Sequence, residues 1–241
     1  MSETELPPAF RGRRLAVFDL DGTLYRQAPL RRRMAAQLVL HTLKRRDTTV
    51  LRILRDYRRR REALAEAGMV AFDGPLVDGC ARACGVPTDK VRAVIAEWIE
   101  RRPLPQLAAT AVPGAAELFA RLGAAGAQVA VWSDYPVRDK LAALGLKADI
   151  MFSATDPELN RLKPDPRGLA MIMERAGASA PETLMVGDRA DRDGAAARAL
   201  GVDFLCRSDR ARPGTPGAVR DFTAASLAGT GPKDRAGGAR S

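Results

Sequence analysis

Two aspartates one residue apart, Asp19 and Asp21, followed at once by Gly22 and Thr23, are the residues of this chain best suited to do chemistry. They close a short apolar run, Leu15-Ala16-Val17-Phe18, of the kind that forms a buried strand ending at a loop. Side chains at i and i+2 of a strand point the same way, so both carboxylates can share one small volume at the strand's C-terminal edge. Carboxylates that close repel and raise one another's pKa. A divalent cation relieves the repulsion, and an all-oxygen donor set suits Mg²⁺. The same residues also make an ordinary turn, because Asp and Gly are common turn formers. The choice between the two rests on whether other parts of a site follow at other strand ends.

The elements that must position such groups alternate along the chain. Residues 14–19, 128–132, 149–152, 183–187 and 202–206 read as strands. Residues 113–126, 136–144, 164–176 and 193–200 read as helices, opened by proline or closed by glycine at several ends. Alternating strands and helices imply a parallel sheet covered on both faces, and such sheets bind ligands at the carboxyl ends of their strands. Asp19, Ser133 and Asp188 fall at such ends. Residues 26–110 interrupt the pattern with helical segments only: Leu30, Met34, Leu38 and His41 share one stripe, and Asp47-Thr48-Thr49 can cap the helix that follows. The expected fold is therefore α/β, a Rossmann-like doubly wound parallel sheet with an inserted all-helical cap domain. Residues 13–25 and 111–207 form the discontinuous core and residues 26–110 the basic cap. Residues 1–12 are expected to be disordered, and residues 208–241 to be a largely disordered tail in which 218–227 can form one helix.

Composition narrows the class. A chain of 241 residues with 46% apolar content suits one large domain or a core with an insertion. No apolar run approaches the ~18 residues of a membrane span, and the polar first residues carry no signal-peptide pattern, so a cytoplasmic protein is expected. Three cysteines (Cys80, Cys84, Cys206) and one histidine (His41) are too few for a disulfide framework or a four-ligand zinc site. Cys80 and Cys84 are expected on the apolar face of a helix, Trp132 beneath the strand ends, Trp98 in the cap core, and His41 as a packed helix residue. Net charge is +10, and residues 31–61 alone hold 12 basic and 2 acidic residues.

Four elements stand in order: Asp19-Leu20-Asp21-Gly22-Thr23, then Ser133, then Lys163-Pro164, then Gly187-Asp188 with Asp193 just before a helix. Here the chain resembles the haloacid dehalogenase superfamily, in particular its phosphatases with a helical cap, of the phosphoglycolate-phosphatase-like kind. The resemblance implies a Mg²⁺-dependent phosphatase acting on a small phosphorylated substrate through an aspartyl-phosphate. Asp19 matches the nucleophile. Asp21 matches the acid that protonates the leaving oxygen and then, as base, activates water. Ser133 and Lys163 match the groups that hold the transferring phosphoryl oxygens. Gly22, Thr23, Asp134 (through its backbone N–H) and Tyr25 join them as the expected substrate contacts. The implied metal ligands are Asp19, the carbonyl of Asp21 and Asp188, with Asp193 in a supporting role for which Asp191 competes. Asp134 stands where relatives often carry asparagine, and Arg189 where a small hydroxyl residue is common.

Asp21 separates reaction classes, since the superfamily's dehalogenases need no proton for a leaving oxygen and lack this aspartate. Phosphonatases use a cap lysine, and only Lys44 and Lys90 are available here. A phosphomutase shares all four elements. A non-catalytic binding protein docking through its basic cap is the reading from another class. The arginines of residues 31–61 fit a solvated face, attraction of an anionic substrate, or a surface for nucleic acid or another polyanion. The last is weakened because Tyr57 is the one aromatic residue there. Oligomeric state is not legible.

Overall fold

The computed structural model describes residues 6–212 and 214–229. Six parallel strands form one sheet in the order β3-β2-β1-β4-β5-β6, with β1 Leu15–Phe18, β2 Gln128–Ser133, β3 Ile150–Ser153, β4 Thr183–Gly187, β5 Asp203–Arg207 and β6 Ala218–Val219. Alternate side chains on the central strands enter two separate cores. Ala16, Phe18, Val129, Val131, Leu184 and Val186 pack on one face. Leu15, Val17, Ala130, Trp132 and Met185 pack on the other. Both faces are dry, which is why these strands read as continuous apolar runs.

The segment between β1 and β2 is helical: α1 Gln27–Arg45, α2 Thr49–Glu66, α3 Asp73–Cys84, α4 Thr88–Ile95, a π-helical turn Ala96–Arg101 and α5 Leu104–Leu107. It builds an apolar cluster around Ile53, Phe72, Leu76, Cys80 and Trp98, which Ala154 and Leu162 of the chain after β3 complete. Cys80, Cys84 and Trp98 are buried there as expected, and His41 meets Trp98 edge-on at 5.2 Å. Asp47 accepts a hydrogen bond from the N–H of Thr49 at the start of α2 (2.7 Å). The two chain crossings run side by side: Arg26 N–H donates to Thr110 O (2.8 Å) and Val112 N–H to Leu24 O (2.9 Å).

After β2 the chain resumes strand-helix alternation. On one face the sheet is covered by α6 Ala115–Ala124 and α7 Arg138–Ala143. On the other lie α8 Arg167–Ala176 and α9 Asp193–Ala199. Trp132 sits beneath the strand ends as expected, and α8 crosses it so closely that a Cβ on Gly168 would lie 2.5 Å from its indole.

Both ends of the chain depart from expectation. Residues 6–12 are structured: a 3₁₀ turn at Pro8–Phe10 buries Leu6, Ala9 and Phe10, and Phe10 stacks on Phe18 with ring centroids 6.2 Å apart. A proline-bearing polar segment has the composition of disorder, but one fully buried aromatic ring provides the apolar burial that offsets ordering it. Residues 1–5 lie outside the described residues. At the other end, residues 218–227 are not one helix. Ala218–Val219 extends the sheet beside β5, and only α10 Ala224–Leu227 is helical. Val219, Phe222 and Leu227 complete the core of the first face, so residues 208–229, Pro213 apart, are no loose tail. Sheet extension and core burial outweigh the helix propensity of the alanines there. The expectation of disorder for 230–241 lies outside the described residues.

If Phe10 anchors the N-terminal segment, Phe10→Ala lowers unfolding stability by about 3 kcal/mol or more. Denaturant titration measures it, and an unchanged midpoint would show the segment to be dispensable.

Candidate active site

β1 is flanked by β2 and β4, so the residues that end these strands meet at one edge. Asp19 follows β1, its N–H donating to Val186 O on β4 (2.8 Å), and its side chain is buried. One carboxylate oxygen accepts from Lys163 Nζ (2.7 Å) and the other from Thr23 Oγ1 (2.9 Å). Lys163 is 2% exposed. Its ammonium also donates to Trp132 O (2.8 Å) and to Asp193 Oδ1 (2.7 Å), so its three protons are all used. Burial works against that charge, but Asp19 and Asp193 more than offset it and hold the lysine protonated.

Asp21 has a different environment. Its carboxylate accepts from Ser133 Oγ (2.9 Å), Lys140 Nζ (2.6 Å) and the Tyr25 hydroxyl. Burial raises its pKa, yet the charge and hydrogen bond of Lys140, with Tyr25 and Ser133, bring it below the ordinary value. Asp19, by contrast, is pushed well above it, by burial first and by Asp193, Asp188 and Asp21 against the opposing Lys163. Two carboxylates two residues apart are thus driven in opposite directions.

Asp188 follows β4, and its carboxylate reaches so close to Gly22 that a Cβ there would lie 2.0 Å from Oδ2. Gly22 also has φ +106°, so both space and backbone demand glycine. Burial, then Asp193, lifts Asp188 to about 6. Asp193 is buried at the start of α9, accepting from Lys163 and from Arg189 N–H (3.1 Å). Asp191 is exposed and pairs with Arg189 (2.8 Å). Of the two competitors, Asp193 is the one that touches the site.

Carboxylate oxygens of Asp19, Asp188 and Asp193 all lie within 4.8 Å of one another. With Asp21 the site holds four carboxylates against the two ammonium groups of Lys140 and Lys163. A divalent cation supplies the missing charge, and oxygen donors fit Mg²⁺. The residues present therefore fit the metal. The Asp21 carbonyl, expected among its ligands, accepts a hydrogen bond from the Gln27 side-chain amide.

Other expected contacts are placed differently. The Tyr25 ring is buried and its hydroxyl is committed to Asp21. Asp134 turns its carboxylate to the backbone N–H of Lys163 (3.1 Å), while its carbonyl accepts from Arg61. That orientation explains how a further carboxylate is tolerated beside an anion site. Arg189 bridges Asp191 and Glu62 of α2 (3.2 Å to Glu62) rather than reaching inward. Ser133, Lys163, Thr23 and Gly22 are together at the strand ends.

The sequence reading missed Lys140, Gln27, Arg61 and Arg207. Arg207 is buried on β5 and donates to Gly22 O (3.0 Å), bracing the loop that carries Asp21. Lys140 carries no local signal in the sequence; only its burial beside Asp21 marks it. Arg61 is buried and stacks on Tyr135 (4.1 Å) and Phe72 (5.2 Å), joining α2 to the loop after β2.

A carboxyl raised to about 6 in the fold favours the proton-bound state, so its contribution to stability is present at low pH and is lost as pH climbs through 6. Asp19 shifts in the same sense. Mg²⁺ requires the ionised carboxylates. The rise in melting temperature on adding Mg²⁺ should therefore be larger at pH 7.5 than at pH 5, and Gly22→Ala, which displaces Asp188, should abolish it. A shift equal at the two pH values would remove the carboxylate cluster as the binding site.

The profile of haloacid dehalogenase-like hydrolases matches residues 14–201. The chain is 30% identical over 197 residues to a phosphoglycolate phosphatase of Rhodospirillum rubrum, covering 80% of this chain and 78% of that one. Among solved structures, a 2-haloacid dehalogenase from Pseudomonas syringae pv. Tomato superposes with a TM-score of 0.60 at 20% identity, over 83% of this chain and 88% of the other. A protein described as a predicted phosphoglycolate phosphatase from Haemophilus somnus gives 0.50 at 20% identity, over 82% and 86%. The fold is shared across both chemistries. With the profile spanning the strand-end carboxylates and the helices between them, the chain belongs to the haloacid dehalogenase-like hydrolase family.

Proposed function

We propose that this protein is a Mg²⁺-dependent phosphatase that hydrolyses a phosphate monoester through an aspartyl-phosphate on Asp19. The observation that carries the proposal is the Asp21 carboxylate, held between Ser133 and Lys140 beside the buried Asp19. A halide leaving group needs no proton, so an acid-base residue at this point belongs to an oxygen leaving group. The 30%-identical relative named for phosphoglycolate supports the same reaction class.

An Asp19 oxygen attacks phosphorus, the bond from phosphorus to the ester oxygen breaks, and Asp21 gives its proton to that oxygen. Water then attacks the phosphoryl group, Asp21 takes back a proton, and the bond to Asp19 breaks to release inorganic phosphate. Asp19 and Asp188, with Asp193 in a supporting role, would hold Mg²⁺, which when bound would neutralise charge on the phosphoryl oxygens. Lys163 holds the Asp19 carboxylate in place, and Ser133 lies within reach of both Asp21 and the phosphoryl site. Lys140 favours the ionised, basic form of Asp21. An arriving phosphate dianion pushes that pKa upward and so prepares the acid form. Residues 26–110 serve as a cap that covers the carboxylates through α2. Its Arg61 and Glu62 reach the loops after β2 and β4. Among the described residues no helix is long and apolar enough to cross a membrane. A cytoplasmic location is part of the proposal, supported by three cysteines that are all free.

Phosphate release from a generic aryl phosphate should require Mg²⁺, stop with EDTA, and fall by on the order of 10⁴-fold or more in Asp19→Asn. Equal rates for wild type and variant would reject the mechanism. Release of free phosphate, as opposed to transfer to a second sugar-phosphate position, separates phosphatase from mutase.

Because Lys140 holds the pKa of Asp21 down, the base needed for the second step stays available at low pH. In Lys140→Met the acid limb of the rate profile should move to higher pH. An unmoved limb would show that Lys140 does not act through Asp21.

A further inference from the structure

A second cavity of about 600 Å³ opens beside the carboxylates, between α1, α2 and the π-helical turn. Its size lies within the ~300–1,000 Å³ of small-molecule sites. Its walls are mostly apolar. Buried Leu30, Leu54, Trp98 and Ile99 form the interior, with half-buried Met34 and Leu38. Trp98 and Ile99 belong to the turn Ala96–Arg101, and π-helical turns occur frequently at functional sites.

This cavity and the one of about 430 Å³ over Asp19 and Lys163 share a boundary, because Asp21, Gln27, Arg31, Arg58 and Tyr135 line both. The shared Asp21 fixes the geometry. In the proposed reaction the leaving oxygen must sit within hydrogen-bond reach of Asp21, so the carbon attached to it points away from Asp19. The space on that side is mostly apolar, with Gln27 and Lys140 among the polar groups of its wall. Arg31 and Arg58 stand at the same boundary, and neither has a salt-bridge or side-chain hydrogen-bond partner among the described residues. Unpaired cations beside an anion site attract a dianion from solution. Arg61 is different, since it is engaged with Asp134 and Tyr135.

We infer that the substrate is the phosphate monoester of an apolar alcohol, whose hydrocarbon portion fills the cavity between α1, α2 and Trp98 while its phosphate lies over Asp19. The inference rests on the proposed phosphatase reaction for the direction of the leaving group. A two-carbon acid alcohol such as glycolate would leave most of this apolar space empty, so the site differs in its demand from that of a small polar ester. Each additional methylene buried contributes favourably to binding.

The test compares ethyl phosphate, n-octyl phosphate and 2-phosphoglycolate as substrates of the full chain with Mg²⁺. Octyl phosphate should show a kcat/KM at least tenfold above the other two. Ala35→Trp, a change at an exposed position on the cavity wall, should collapse the octyl-to-ethyl ratio towards one. In a second measurement, calorimetry on Asp19→Asn should show n-octylphosphonate binding at least tenfold tighter than ethylphosphonate. Turnover of all three esters with no preference for octyl phosphate, or with 2-phosphoglycolate preferred, would overturn the inference and leave the phosphatase reading standing. No turnover of any ester would overturn the phosphatase reading, and the phosphonate pair would then decide the apolar site by itself: equal affinities overturn it.

Discussion

The ammonium of Lys163, buried between Asp19 and Asp193, is the interaction on which the rest of the site depends. It fixes the Asp19 carboxylate at the end of β1, and through its third proton it ties both to Trp132 O on β2. A buried lysine in this setting is stable only because two carboxylates and a carbonyl use its protons. Removing any one partner leaves a charge without compensation. The Lys163 backbone is braced in turn, its N–H by Asp134 and its carbonyl by Arg192 (2.7 Å). Arg192 also pairs with Glu62 of α2, so the inserted helices are linked to the buried Lys163.

Charge balance explains why the neighbouring carboxylates differ in character. Asp21 has its own lysine, and Asp19 shares one with Asp193, while Asp188 has none in direct contact among the described residues. The result is one carboxylate held ionised and two pushed toward protonation. Such divergence is what a two-step reaction needs from neighbouring acids. It also concentrates negative charge where a divalent cation is the natural counter-charge.

The basic segment that dominates the charge of the chain resolves into separate uses. Arg61 is a buried strut, and Arg60 and Arg59 pair with Asp56 on α2. Arg31 and Arg58 line the two cavities beside the strand-end carboxylates, while Arg32, Arg33, Lys44 and Arg45 lie exposed on α1. A run of like charges in sequence is therefore not a single surface, because helical periodicity distributes its members to different neighbours.

The sheet, its parallel sense and the gathering of Asp19, Ser133 and Asp188 at one edge were legible in the sequence. Each depends on local pattern: an apolar run, then a polar residue at its end. Lys163 and Asp193 were legible from their place in the motif order. Lys140 and Arg207 were not, since their partners are 119 and 185 residues away and no local signal marks such contacts. The short β6 and the turn around Phe10 were missed because two residues of strand and one aromatic ring carry no period to read. By itself the sequence determined which groups can do chemistry and that strand ends would bring them together. Only the tertiary structure decided which carboxylate is ionised, which tyrosine is spent on a hydrogen bond, and what kind of space lies beyond Asp21. Those outcomes depend on burial and on distances of a few ångströms between residues far apart in the chain, and both are properties of packing.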